Sequence, residues 1–231
     1  MEDVKIPTFK KFLNPYYEAY PGDDYWEKIK PLKDKTALLI IDVQRHEQHI
    51  AAELKNAGNS YLYDRLNGMV IPNLKRLLGF FRDQQMVVTF AAIGNQREDG
   101  RDRSPVEVRP GWNYSLQKIG SMEQQVVDDL KPKDSELVLC KTTDSAVNGT
   151  QIGHTLRWMG IEHVVVGGLV TDQCVSGTVR DLADWGYTVF LVEDTTSAIN
   201  ADLQFWETKI LDQIYCKVVS TAEVLKDLAA Q

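Results

Sequence analysis

The sequence predicts an α/β protein of three layers, α/β/α, built on a six-stranded, mostly parallel sheet. Three observations carry that prediction. Strand-length apolar runs alternate with helix-length segments over residues 36–228, the pattern of repeated β-α-β units. The runs are continuous rather than alternating, as in TALLIIDV and HVVVGGLV, so helices must cover both faces of the sheet. The chain has 231 residues, 43% hydrophobic and 26% charged. That suits one domain with six strands and excludes disordered, collagen-like and coiled-coil classes.

Residues 1–34 read as an N-terminal arm ahead of a domain at 35–231. The arm is aromatic and proline-rich (NPYYEAYPGDDYW) and is expected to pack on the body or on a neighbouring subunit. Residues 36–43 form the first strand. Residues 61–84 have the apolar spacing of a helix through Leu66, Met69, Ile71, Leu74, Leu77 and Leu78, with Pro72 kinking or restarting it. MVVTFAAI (86–93) is the second strand. A polar loop then runs over 94–120, long enough to be functional. Residues 121–130 suggest a short helix. ELVLCK (136–141), HVVVGGLV (163–170), YTVFLVED (187–194) and CKVVS (216–220) complete the strands, with helices over 149–159, 172–185 and 201–213 between them. Ser220-Thr221-Ala222-Glu223 has the S-x-x-E form of a capping box and opens a last helix to about Leu228.

Composition narrows the function. With 26 basic and 33 acidic residues the net charge is −7, and no basic stripe is present, so a nucleic-acid partner is not expected. No window of 18 apolar residues predicts a membrane span, and the first residues lack the apolar stretch of a secretory signal. Three cysteines, Cys140, Cys174 and Cys216, do not make a disulfide framework and point to the reducing cytoplasm. The partner is expected to be a small-molecule substrate.

In an open parallel sheet ligands bind beyond the carboxyl ends of the strands. Three reactive side chains fall there. Asp42 closes the first strand and Lys141 the third. Cys174 follows the fourth, in the first turn of the next helix, where amide groups and the helix dipole favour a thiolate. Taken singly, each is ordinarily structural: a charge marks where a strand returns to water, and a cysteine is a small buried residue. Together they form a carboxylate, an ammonium and a thiol at one sheet edge, a set suited to nucleophilic catalysis.

The segments ALLIIDVQ, LCKTTDSAVNGT and GGLVTDQCVSGTVRDLADWGYTVFLVEDTTSA resemble, in order, the isochorismatase-like cysteine hydrolases. That superfamily includes nicotinamidase, N-carbamoylsarcosine amidase, biuret hydrolase and ureidoacrylate amidohydrolase. The resemblance spans about residues 35–225 and implies strand order 3-2-1-4-5-6. It also implies an Asp42–Lys141–Cys174 triad and a non-proline cis peptide at Leu169–Val170, with the amides of Val170 and Cys174 as oxyanion hole. The activity it implies is hydrolysis of a C–N bond in a small amide or carbamoyl/ureido compound, through a thioester and with ammonia released. Relatives form dimers and tetramers, so a homo-oligomer is expected.

Departures from the pattern bear on cofactor and substrate. The Asp-x-His arrangement of metal-dependent relatives is replaced by AAIGNQREDGRDRS, so no metal and no other cofactor is expected. His46 and His49 have helix-face spacing but no third ligand, and read as surface or packing residues. In the Lys141 motif Val147 stands in place of an aromatic and Asp144 is unusual, both of which bear on substrate identity. Gln44 is placed to orient Asp42 or a polar substrate. Arg101 and Arg103 are candidates to pair with a substrate carboxylate, against a plain reading as a solvated basic loop. Two other functions share this fold: a vinyl-ether hydrolase of the isochorismatase type, which does not use a cysteine nucleophile, and a non-catalytic binding protein.

Overall fold

The computed structural model describes residues 25–108 and 116–231. Six strands form one parallel sheet in the order β3-β2-β1-β4-β5-β6: β1 Thr36–Ile41, β2 Val87–Ile93, β3 Leu137–Lys141, β4 His163–Leu169, β5 Thr188–Ser197 and β6 Lys217–Val219. The nine helices that the described residues form are α1 Tyr25–Lys28, α2 Arg45–Asn56, α3 Tyr61–Arg65, α4 Ile71–Asp83, α5 Ala146–Gly149, α6 Ile152–Trp158, α7 Ser176–Asp184, α8 Ala201–Leu211 and α9 Thr221–Ala229.

The central strands are apolar on both faces because each face has its own core. Leu38, Ile40, Phe90, Val165 and Phe190 point into one, with Leu66, Leu74, Leu77 and Phe81 from the helices. Ala37, Leu39, Ile41, Val164, Val166 and Leu191 point into the other, against Ile152, Val175, Val179 and Leu182. Period-2 alternation thus distributes one continuous apolar run between two cores.

Several elements differ from expectation. Residues 61–83 are one helical rod, but Pro72 does not interrupt it abruptly. A π turn at Leu66–Val70 precedes it, closed by Ile71 N–H donating to Leu66 O, and Pro72 then occupies the first turn of α4. A proline there needs no N–H, and the widened turn gives its ring room. The expected helix at 121–130 is reduced to a 3₁₀ turn at Asp128–Leu130. Its backbone is engaged elsewhere: Val127 N–H donates to Val43 O, and the amides of Arg45 and His46 donate to Gln125 O and Glu123 O. Conversely, α2 was not foreseen; it buries only Ala51 fully, so it carries little apolar periodicity. The capping box at Ser220 and Glu223 forms as read, with each side chain bonded to the other residue's amide.

Of the N-terminal arm, residues 1–24 lie outside the described residues. The remainder packs on the domain: Trp26 Nε1 donates to Gln213 O at 2.6 Å, and Lys30 pairs with Asp227 at 3.1 Å. Among the described residues no helix is long and apolar enough to cross a membrane.

Candidate active site

The strand order reverses between β1 and β4, and the candidate residues gather at the carboxyl ends there. Asp42 follows β1 directly, with φ at +50°, an uncommon backbone state for a non-glycine residue. That turn re-aims its side chain across the end of β2, where Oδ1 accepts from Ile93 N–H at 2.9 Å. Lys141 ends β3, in register with Ile93. Its long stem crosses the end of β2, so residues from non-adjacent strands meet. Lys141 Nζ lies 2.7 Å from Asp42 Oδ2 and 3.3 Å from Cys174 Sγ, and also donates to Thr143 O at 3.0 Å. Lys141 is 0% exposed and Asp42 3%.

Cys174 sits in a π turn, Thr171–Val175, that opens the helical rod continued by α7. The peptide Leu169–Val170 just before it is cis. Gly168 makes the approach possible. Its φ is +129°, and a Cβ there would overlap the Ile41 carbonyl oxygen and lie 2.6 Å from the Ile41 nitrogen. Behind the turn, Gln204 Oε1 accepts from Thr171 Oγ1 at 2.7 Å and from Ala198 N–H at 2.8 Å, tying the Cys174 segment to α8 and the end of β5. Arg65 holds the same end of β5 through Thr196 O, Glu193 O and the Glu193 carboxylate.

The electrostatics follow from burial. Burial pushes Asp42 above the usual carboxylate range, and Lys141 and the Ile93 amide offset only part of this. Burial works against the Lys141 ammonium, yet Asp42 and Cys174 hold its pKa above the ordinary value. Cys174 is a correction to the sequence reading. The helix start does not make it a low-pKa thiolate; burial drives its pKa well above the ordinary value, with Lys141 opposing and Asp42 and Asp144 reinforcing. The resting group is a neutral thiol, its Sγ 3.5 Å from Asp144 Oδ1.

Asp42 and Cys174 open onto a cleft of about 90 Å³ that His46, Glu47, Arg103, Glu107, Gln117, Asp144, Val170 and Gln173 also line. The three substrate-binding candidates fare differently. Arg103 lines the cleft, buried and paired with Glu107 at 2.8 Å. Arg101 does not: its side chain is 71% exposed and pairs with Asp99 at 3.1 Å, the solvated-loop outcome. Gln44 is fully buried beneath the site. Its Nε2 donates to Ile93 O and Gln124 O, and its Oε1 shares the Ile93 N–H with Asp42. It orients Asp42 through a common donor rather than reaching the cleft. His49 pairs with Glu123 on the surface, whereas His46 lines the cleft.

Sequence reasoning did not single out Glu47, Glu107 or Gln117. A signal existed for two of them: Glu47 follows Asp42 by only five residues, and Glu107 stands four residues after Arg103.

The isochorismatase domain model matches residues 36–223, the whole sheet and all the residues above. The chain belongs to the isochorismatase family. Within it, ureidoacrylate amidohydrolase RutB of Serratia proteamaculans is 30% identical over 183 residues, covering 74% of this chain and 73% of the relative. The isochorismatase family protein YrdC of Bacillus subtilis is 27% identical over 167 residues, covering 72% and 76%. Among solved structures, an isochorismatase family protein of Desulfovibrio vulgaris superposes with a TM-score of 0.69 at 25% identity, over 85% of this chain and 99% of that one. A cysteine hydrolase of Pseudomonas syringae shares the isochorismatase fold with a TM-score of 0.74 at 20% identity, over 88% and 96%.

Proposed function

We propose that this isochorismatase-family hydrolase is a cysteine-dependent amidohydrolase. It cleaves a C–N bond of a small amide, carbamoyl or ureido compound, passing through a thioester on Cys174 and releasing ammonia. The observation that carries this reading is the junction at Lys141 Nζ, 2.7 Å from Asp42 and 3.3 Å from the Cys174 sulfur, two groups that line a small cleft. Relatives named as ureidoacrylate amidohydrolases support the bond type.

Asp42 accepts the Cys174 proton as sulfur attacks the carbonyl carbon. Its raised pKa makes it a stronger base than an exposed carboxylate. The developing oxyanion lies against the amides of Val170 and Cys174. Donors so placed contribute about 3–4 kcal/mol each in comparable sites. Collapse expels the amine, which takes the proton from Asp42 and leaves as ammonia. A water then gives its proton to Asp42 and attacks the thioester, freeing the acid and Cys174. Lys141 keeps Asp42 ionised before attack and stabilises sulfur as its negative charge develops. No metal or other cofactor enters this scheme. A cytoplasmic location belongs to the same reading, supported by three cysteines that form no disulfide.

The test is ammonia release from biuret, N-carbamoyl amino acids, ureidoacrylate, nicotinamide, maleamate and simple amides, with the Cys174→Ala variant alongside. Release that disappears in the variant supports the proposal. Pyruvate from a vinyl ether, formed equally by both proteins, would replace it with ether hydrolysis.

A further inference from the structure

Beyond the triad the cleft is acidic, and its cations are engaged. Among the described residues its lining sets Asp42, Glu47, Glu107 and Asp144 against one guanidinium, Arg103. Arg103 donates to Glu107 Oε2 at 2.8 Å, with both side chains buried. Lys141 lies below the floor, occupied by Asp42 and Cys174. Burial lowers the pKa of His46, so it adds no charge at neutral pH.

Two acceptors remain without a donor. Glu107 is 5% exposed, and its Oε1 has no hydrogen-bond partner; Glu47 Oε2 is likewise sealed from solvent and unpartnered. A buried acceptor with no donor is costly, and both residues line the cleft that a ligand would enter.

We propose that Glu47 and Glu107 form the specificity end of the cleft and select an amide whose non-reacting part carries N–H donors and no carboxylate. The proposal rests on the amidohydrolase reading for its reacting end. Ureido, carboxamide or ammonium N–H groups satisfy both orphaned oxygens. A carboxylate would meet four carboxyl groups and find the Arg103 guanidinium already paired, a repulsive element as well as a missing attractive one. Burial raises Glu47 to about 8 and Glu107 to about 7, the latter helped by Asp144 beside it. A donor-rich or cationic group offsets that cost of ionisation, whereas a carboxylate adds to it. A substrate shaped like ureidoacrylate, which carries a carboxylate, fits this end poorly.

Three ureas of similar size separate the charges: N-carbamoylglycine, N-carbamoylglycinamide and (2-aminoethyl)urea. Ammonia release gives kcat/KM for each. Calorimetry on the Cys174→Ala variant gives each Kd without turnover. The amide and the amine are expected to exceed the acid by at least about tenfold in both measurements. Glu107→Gln, which removes the carboxylate engaging Arg103, narrows that gap by improving the acid. Glu47→Gln raises KM for the amine more than it lowers kcat. An acid bound or hydrolysed as well as the amide overturns the proposal, as does failure of all three ureas to bind. Preferential binding of the amide and amine to Cys174→Ala, with no turnover by the wild type, would uphold the specificity end and refute the amidohydrolase reading instead.

Discussion

Replacing Lys141 by Met keeps most of the stem and removes the charge. Asp42, 3% exposed, would then face the interior with the Ile93 amide but no counter-ion. Breaking a buried pair from one side costs about 3–5 kcal/mol, because the remaining charge is uncompensated. For a domain of this size each kcal/mol lowers Tm by about 2–4 °C, so the expected drop near pH 8 is about 6–20 °C. The pH dependence distinguishes this cause from lost packing. In the variant, Asp42 has a folded pKa raised even further above its unfolded value of about 3.9. The folded state then binds more protons than the unfolded state, and stability falls as pH rises from about 4 through the folded pKa. The penalty should therefore be full at pH 8 and shrink as Asp42 becomes neutral towards pH 4. Thermal melts by circular dichroism at half-unit steps measure it, with wild type as reference. The acid limb of kcat/KM should move to higher pH in parallel, since a neutral Asp42 cannot accept the thiol proton. A Tm deficit that is the same at pH 4 and pH 8 would refute the reasoning, and so would an unmoved acid limb.

Other perturbations test the scaffold and the cleft. Gly168→Ala forces a Cβ into the Ile41 backbone at φ +129°; strain and overpacking of about 1–3 kcal/mol each should lower Tm by several degrees, and an unchanged melt would contradict the close approach. Arg101→Ala should leave kcat and KM within about twofold, since exposed pairs contribute little; a fivefold rise in KM would return Arg101 to the cleft. Arg103→Ala strands Glu107 in the interior and should raise KM and lower Tm together, which melts and initial rates resolve. Iodoacetamide labelling of Cys174, followed by mass spectrometry, should keep accelerating beyond pH 9, because burial holds the thiol above its ordinary range; a plateau below pH 7 would mean a stabilised thiolate.

The sheet and the meeting of Asp42 with Lys141 were legible because their signals are local. TALLIIDV shows a doubly buried strand whatever its neighbours, and a charge ending such a run must either leave the core or find a partner. The strand ends then carry Asp42 and Lys141 to the same edge. The cleft wall was not legible in this way. Arg101 and Arg103 have the same composition and lie two residues apart, yet one pairs with Asp99 in water and the other turns inward to Glu107. That choice depends on how the 94–108 loop folds back, with Ser104 N–H bonded to Thr142 O beside Lys141. Glu47 sits on α2, a helix with one fully buried residue, and so left almost no apolar period to read.

The protonation state of Cys174 turns on magnitudes. Charge at a helix start is favoured by about 0.3–1 kcal/mol, less than one pKa unit at about 1.36 kcal/mol per unit. Full burial can shift a pKa by about 3–5 units the other way. The dipole argument had the right sign but too small a size, and burial wins. The same burial also raises Asp42, which stands across Lys141 from the sulfur. A buried acid and a buried thiol displaced in the same direction stay closer in proton affinity than a buried thiol and an exposed carboxylate would be. The proposed thioester route therefore does not need a preformed thiolate. It needs proton transfer from sulfur to Asp42 during attack, with the Lys141 ammonium next to both the atom that loses the proton and the group that gains it.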